Sequence, residues 1–137
     1  MAPNDRFVAE ATFPIRYAET DAMGIVHHAN YIVFFEEGRS HYARARGSDY
    51  ADFERSGFHL VVTEVEARYL KAMHYGQRAT VRCWIETMQS RSVKFGYEIL
   101  DAATGEVCVT GFSKHICVRR DGGVAHLPEA WRAWGTG

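Results

Sequence analysis

Asn30-Tyr31-Ile32-Val33-Phe34-Phe35-Glu36-Glu37-Gly38-Arg39-Ser40-His41-Tyr42-Ala43-Arg44-Ala45-Arg46 is the one long run of this chain with helical spacing. Tyr31, Phe34, Phe35, Gly38, Tyr42 and Ala45 recur at three- and four-residue steps and make a single apolar stripe. Glu36, Glu37, Arg39, Ser40, Arg44 and Arg46 fill the remaining positions. Asn30 has the side chain of an N-cap, and Gly47 suits the C′ position that follows a helix. The glutamates lie nearer the start and the arginines nearer the end, which suits the helix dipole. Gly38 inside the stripe costs about 1 kcal/mol relative to Ala. Its presence predicts a helix pressed very close to a sheet; the plainer alternative is a tolerated glycine with no role.

The flanking chain supplies that sheet. Phe7 to Tyr17 reads as a strand, with Phe13, Ile15 and Tyr17 on one face and Pro14 marking either an edge strand or a bulge. Glu19 to His28 is a loop containing Gly24. After the helix, Ser48 to Gly57 is a polar connector with room for a short helical turn. Four strand-like runs follow: Phe58 to Leu70, Arg78 to Glu86, Val93 to Ile99 and Glu106 to Arg119. Tyr75-Gly76, Gln89-Ser90-Arg91 and Ala103-Thr104-Gly105 separate them as turns of hairpin length. Leu127 to Trp134 reads as a terminal helical turn after Pro128. The order predicts an α+β fold, an antiparallel sheet of about five strands curled around one long central helix. Residues 1–137 form a single domain on this reading.

Composition sets outer limits. The 137 residues are 47% hydrophobic and 24% charged, with a formal net charge of −1. Nothing in that balance favours nucleic acid or an anionic membrane surface. No apolar run approaches a membrane span, and Met1 to Arg6 has no apolar signal core, so a cytoplasmic location is expected. Cys83, Cys108 and Cys117 are odd in number and scattered, which predicts buried thiols rather than disulfides or a zinc knuckle.

The chemistry concentrates just before the helix, in Thr20-Asp21-Ala22-Met23-Gly24-Ile25-Val26-His27-His28-Ala29-Asn30-Tyr31. Asp21 is a carboxylate a few residues from a helix N-terminus, where unpaired backbone N–H groups and the positive dipole end stabilise an oxyanion. That pairing points to acyl chemistry; the plainer alternatives are a helix-proximal cap and a solvated loop carboxylate. Glu19 reads as structural or solvated. His27 and His28 are adjacent, so on a regular element their side chains diverge, and with Glu19 and His41 they match no zinc spacing. No metal or other cofactor is expected. No serine sits in a nucleophile elbow, and the glycines form no phosphate-cradling loop.

Tyr17, Glu19-Thr20-Asp21, Gly24-Ile25-Val26, His28-Ala29-Asn30-Tyr31 and Phe34-Phe35-Glu36 resemble the 4-hydroxybenzoyl-CoA thioesterase-like branch of the hot-dog-fold acyl-CoA thioesterases. The same run is similar to acyl-CoA thioesterases associated with the bacterial Tol-Pal system. Tyr69 and Tyr75-Gly76 resemble the family's turn between strands. The resemblance implies a cofactor-free thioesterase that dimerises by joining two sheets edge to edge, commonly then forming a homotetramer, with active sites at the dimer interface. Asp21 falls on the catalytic aspartate, and His28 falls where a backbone N–H polarises the thioester carbonyl. Gly24, Ile25, Val26, Asn30 and Tyr31 surround them as substrate-binding positions. Three departures stand out: Met73-His74 where proline is common, Gln77 where aspartate is frequent, and Gln89-Ser90-Arg91 where some members carry a basic run. Arg91 is then the remaining candidate for a CoA phosphate.

The expected substrate is an aromatic or short-to-medium-chain acyl-CoA, with Asp21 as nucleophile or general base. The alternatives are a hot-dog hydratase or dehydratase, which would draw on Glu36 or Glu37, and a non-catalytic acyl-CoA or acyl-carrier binding module.

Overall fold

The computed structural model of the protein describes residues 2–136. Strand β1 (Val8–Pro14) leads through a single 3-10 turn (Tyr17–Glu19) and a loop to helix α1 (His28–Ala45). A second helix, α2 (Tyr50–Arg55), is followed by β2 (Phe58–Tyr69), β3 (Arg78–Met88), β4 (Ser92–Asp101) and β5 (Val107–Arg119). A short helix α3 (Glu129–Arg132) and a 3-10 turn close the chain. The five strands form one antiparallel sheet in the order β1-β3-β4-β5-β2. The α+β architecture expected from the sequence is therefore present, with β1 at an edge and Pro14 as its last residue.

One connection differs from expectation. The turns after β3 and β4 are hairpins, but β2 does not pair with β3. It lies at the far edge against β5, and residues 70–77 carry the chain back across the end of the sheet. Turn length alone does not reveal which strands pair; both edges of the β3-β4-β5 hairpins were open to β2, and β1 occupies one of them.

Helix α1 lies across the inner face of the sheet and packs on β1, β3 and β4. Tyr31, Phe34, Phe35, Gly38 and Tyr42 are buried as the stripe predicts. At its end Ala43 is buried instead of Ala45, which is exposed. Phe34 meets Phe13 of β1 edge-on at 5.0 Å, and Phe35 stacks on Tyr97 of β4 at 4.4 Å. The close approach inferred from Gly38 is real. A Cβ there would stand 2.6 Å from Val81 Cγ1 of β3. The helix stops at Gly47, which has φ +87°. Its N–H reaches the Arg44 carbonyl at 3.0 Å and the Ser48 N–H reaches that of Ala43 at 2.9 Å, the two bonds of a Schellman end.

The N-terminal cap is a correction. Asn30 is the third residue inside α1, not its cap. The cap is His27, whose Nδ1 accepts the Ala29 N–H at 3.3 Å. The cysteine expectation fits: Cys83, Cys108 and Cys117 are free, buried thiols. Trp131 and Trp134 are buried as well.

A polar chain crosses this core. Arg39 Nη1 donates to Tyr97 OH at 3.2 Å, Tyr97 OH pairs with Ser113 Oγ at 2.6 Å, and Ser113 Oγ pairs with His115 Nε2 at 2.7 Å. Burial pushes His115 down to about 3, and the Arg39 guanidinium adds to the effect. The unfolded chain takes up this proton near pH 6.5, whereas the folded one resists until about pH 3. Stability from this residue is thus full above pH 6.5 and is lost as pH falls toward 3. We expect a loss of about 1 kcal/mol per pH unit between roughly pH 6 and 5, before most carboxylates titrate. Urea titrations of wild type and His115→Gln should show the shallower pH slope in the variant. Parallel slopes would place the acid sensitivity elsewhere.

Candidate active site

The loop before α1 is a tight, pinned turn. The Asp21 N–H donates to the Ile25 carbonyl at 2.8 Å and the Gly24 N–H to the Asp21 carbonyl at 3.0 Å. Gly24 has φ +80°, a conformation that L side chains rarely adopt, which explains glycine at that corner. The Asp21 carboxylate accepts the Met23 N–H through Oδ1 at 2.8 Å, so one oxygen holds the turn. A bridge between Thr20 and Val26 closes the loop on itself, and one from Ile25 to His74 ties it outward. The Val26 N–H reaches the Met73 carbonyl at 2.8 Å. Residues 70–77, which carry the chain across the sheet, therefore form the opposite wall.

Beneath the turn, Glu19 is buried and structural. Its carboxylate accepts the Arg16 N–H at 2.7 Å and pairs with the Arg16 guanidinium at 3.0 Å. Its backbone carbonyl accepts both the His27 N–H and Asn30 Nδ2, each at 2.9 Å. Asn30 thus anchors the helix start from below.

Asp21, Ile25, Val26, His28 and Tyr31 line one cavity of about 260 Å³ with Tyr69, Leu70, Lys71 and Ala72. The His28 N–H, first in the helix, has no hydrogen-bond partner among the described residues. It lies at the positive end of α1, where a free helix-start N–H can donate to an anion. The His27 and His28 rings do not diverge as the sequence suggested; they lie 4.4 Å apart, because residue 27 is extended and residue 28 helical. Tyr69 OH donates to the His28 carbonyl at 3.3 Å, which fastens the end of β2 to the helix start. Tyr31 OH accepts the Met73 N–H at 3.2 Å, and burial pushes its phenol up, keeping it protonated near neutral pH.

Three sequence candidates do not line this cavity. Gly24 shapes the turn, and Asn30 faces Glu19. Arg91 sits in the β3–β4 turn with its guanidinium 3.4 Å from His126 Nε2. The ten-residue β4 strand separates that turn from the Asp21 end, about 30 Å away. Glu36 is exposed, and Glu37 lines a separate cavity with Phe13 and Val33, so neither faces Asp21. Leu70, Lys71 and Ala72 were not singled out from the sequence. They follow a strand whose partner is non-local, and nothing in their spacing links them to Asp21. Among the described residues no group of three or more His, Cys, Asp or Glu side chains could hold a metal ion. No described helix is long and apolar enough to cross a membrane.

A family model for the thioesterase-like superfamily matches residues 15–135. A Bacillus subtilis protein named "Putative acyl-CoA thioesterase YneP" is 40% identical over 114 residues, which cover 83% of this chain and 82% of that one. A Thermosynechococcus vestitus protein named 1,4-dihydroxy-2-naphthoyl-CoA hydrolase is 26% identical, covering 77% of this chain and 72% of its own. The crystal structure of a DHNA-CoA thioesterase from Staphylococcus aureus superposes with a TM-score of 0.86 at 32% identity, covering 93% of this chain and 85% of that one. The chain belongs to the thioesterase-like superfamily and has its hot-dog fold, the class to which the loop and helix point.

Proposed function

We propose that this protein hydrolyses the thioester of an aromatic or short-to-medium-chain acyl-CoA in the Asp21 cavity. The observation that carries the reading is the pairing, in one cavity, of the Asp21 carboxylate with the unpartnered His28 N–H at the start of α1. The thioester carbonyl oxygen takes the His28 N–H, and its carbon is attacked by Asp21 or by water that Asp21 deprotonates. The C–S bond breaks, the CoA thiolate leaves, and the acid is released, directly or after hydrolysis of a mixed anhydride. Family membership and relatives named for CoA thioesters support the reaction class. The aromatic option draws support from the two relatives named for DHNA-CoA and 1,4-dihydroxy-2-naphthoyl-CoA.

The reading includes a homodimer, with a homotetramer built from it. β2 is an open edge strand along which Val61, Val62, Val65 and Tyr69 are exposed. Unpaired edges invite pairing with another chain. Two-fold antiparallel pairing of β2 with its copy sets the Phe58 end of one strand beside the Tyr69 end of the other. Tyr69 lies at the Asp21 end and Phe58 at the Arg91 end, because Phe58 pairs with Arg119 and Ser92 with Ile116. The partner's Arg91 would then come to the same end as Asp21. That restores Arg91 as a substrate-binding candidate, acting across the interface rather than within one chain.

The test is thiol release from CoA thioesters of graded aliphatic length and of hydroxylated aromatic acids, with binding followed calorimetrically in parallel. We expect turnover on at least one class. Binding across the panel without thiol release would make this a carrier module instead of a hydrolase.

A further inference from the structure

The geometry points to Lys71 as the cation that receives a phosphate of the CoA moiety at the lip of the Asp21 cavity. This rests on the reading of that cavity as the thioester site. Lys71 lines the same cavity as Asp21, and its side chain is 57% exposed. It leaves the cavity wall toward the β4–β5 turn, where Nζ meets Glu106 Oε1 at 2.6 Å. Its backbone is fixed: the Leu70 and Lys71 N–H groups both donate to the Cys108 carbonyl, at 2.8 and 3.1 Å. The stem is thus anchored at the wall while the ammonium stands at the rim, held by one exposed carboxylate.

That arrangement suits exchange of one anion for another. An exposed ion pair of this kind contributes little to stability. The CoA diphosphate carries two negative charges against one on Glu106 and offers several acceptor oxygens, so it competes well for the same ammonium. The pantetheine arm would run from the thioester beside Asp21 out past Leu70 and Lys71. Arg16, just before this loop, is already committed to buried Glu19. Arg91 of the same chain lies at the other end of the sheet, so Lys71 is the cation this chain itself brings to its own cavity.

Lys71→Met keeps the stem and removes the charge. Steady-state kinetics with one acyl group on CoA and on pantetheine, which lacks every phosphate, separate the roles. We expect KM for acyl-CoA to rise about tenfold with kcat little changed, and KM for acyl-pantetheine to stay as in wild type. Lys71→Arg should restore most of the acyl-CoA affinity, and Glu106→Gln should leave KM unchanged or lower it. An equal KM rise on both thioesters would show that Lys71 only shapes the cavity and would overturn the assignment, as would no change on acyl-CoA. Loss of the Asp21 reading registers separately, because Asp21→Asn acts on kcat for both thioesters alike.

Discussion

Gly38→Val is expected to destabilise the protein by about 3 kcal/mol, at the upper end of the range for overpacked cores. The reason is distance. Even a bare Cβ at residue 38 would reach 2.6 Å from Val81 Cγ1 and 3.6 Å from Cys83 Cβ. Both belong to β3, in the centre of the floor under α1, and both are fully buried. Valine adds two methyl groups to a space that does not hold one. The helix must then lift, and the Phe34 contact with Phe13 and the Phe35 stack on Tyr97 loosen with it. Gly38→Ala should cost much less, because a turned Val81 methyl accommodates one carbon and alanine returns about 1 kcal/mol of helix propensity. Thermal melts of the two variants decide the matter. The valine variant should melt about 10 °C below wild type; a melt indistinguishable from wild type would mean that the helix does not press on β3 as described.

Gly38 also shows what the sequence makes legible. A glycine in the middle of an otherwise regular apolar stripe has a local cost, and only a close neighbour justifies it. Helix α1, its Schellman end at Gly47, the alternation of β3 and β4, and the chemical interest of Asp21 all follow from local spacing of this kind. What did not follow is non-local. The pairing of β2 with β5 depends on which edge remains free after β1 has joined β3, and no turn sequence records that. Lys71 reaches the Asp21 cavity only because residues 70–77 cross the end of the sheet. The family resemblance places Arg91 with Asp21, whereas a whole strand lies between them in one chain. The N-cap went to His27 instead of Asn30 for a similar reason: Asn30 is drawn inward by the Glu19 carbonyl, and His27 is left to accept the free Ala29 N–H. A second glycine, Gly111, illustrates the same limit. Its Cβ would collide with the Phe35 ring of α1 and with the Glu66 carbonyl, and the second contact exists only once β2 sits beside β5.

The largest effect on function is expected from Asp21→Asn. Asparagine keeps the acceptor that receives the Met23 N–H, so the turn around Gly24 should survive. The residue is exposed and contributes nothing to the core. What the substitution removes is the negative oxygen that, in the proposed mechanism, attacks the thioester carbon or takes a proton from water. Loss of a general base costs about 10²- to 10⁴-fold in rate. The His28 N–H stays in place, so substrate affinity should change much less than turnover.

The most direct measurement is therefore kcat for thiol release from a single acyl-CoA by wild type and Asp21→Asn, with the two proteins shown to melt at the same temperature. A fall of at least about 100-fold with KM nearly constant is the predicted result. An Asp21→Asn protein that folds normally and turns over at the wild-type rate would contradict the assignment of this cavity as the catalytic site.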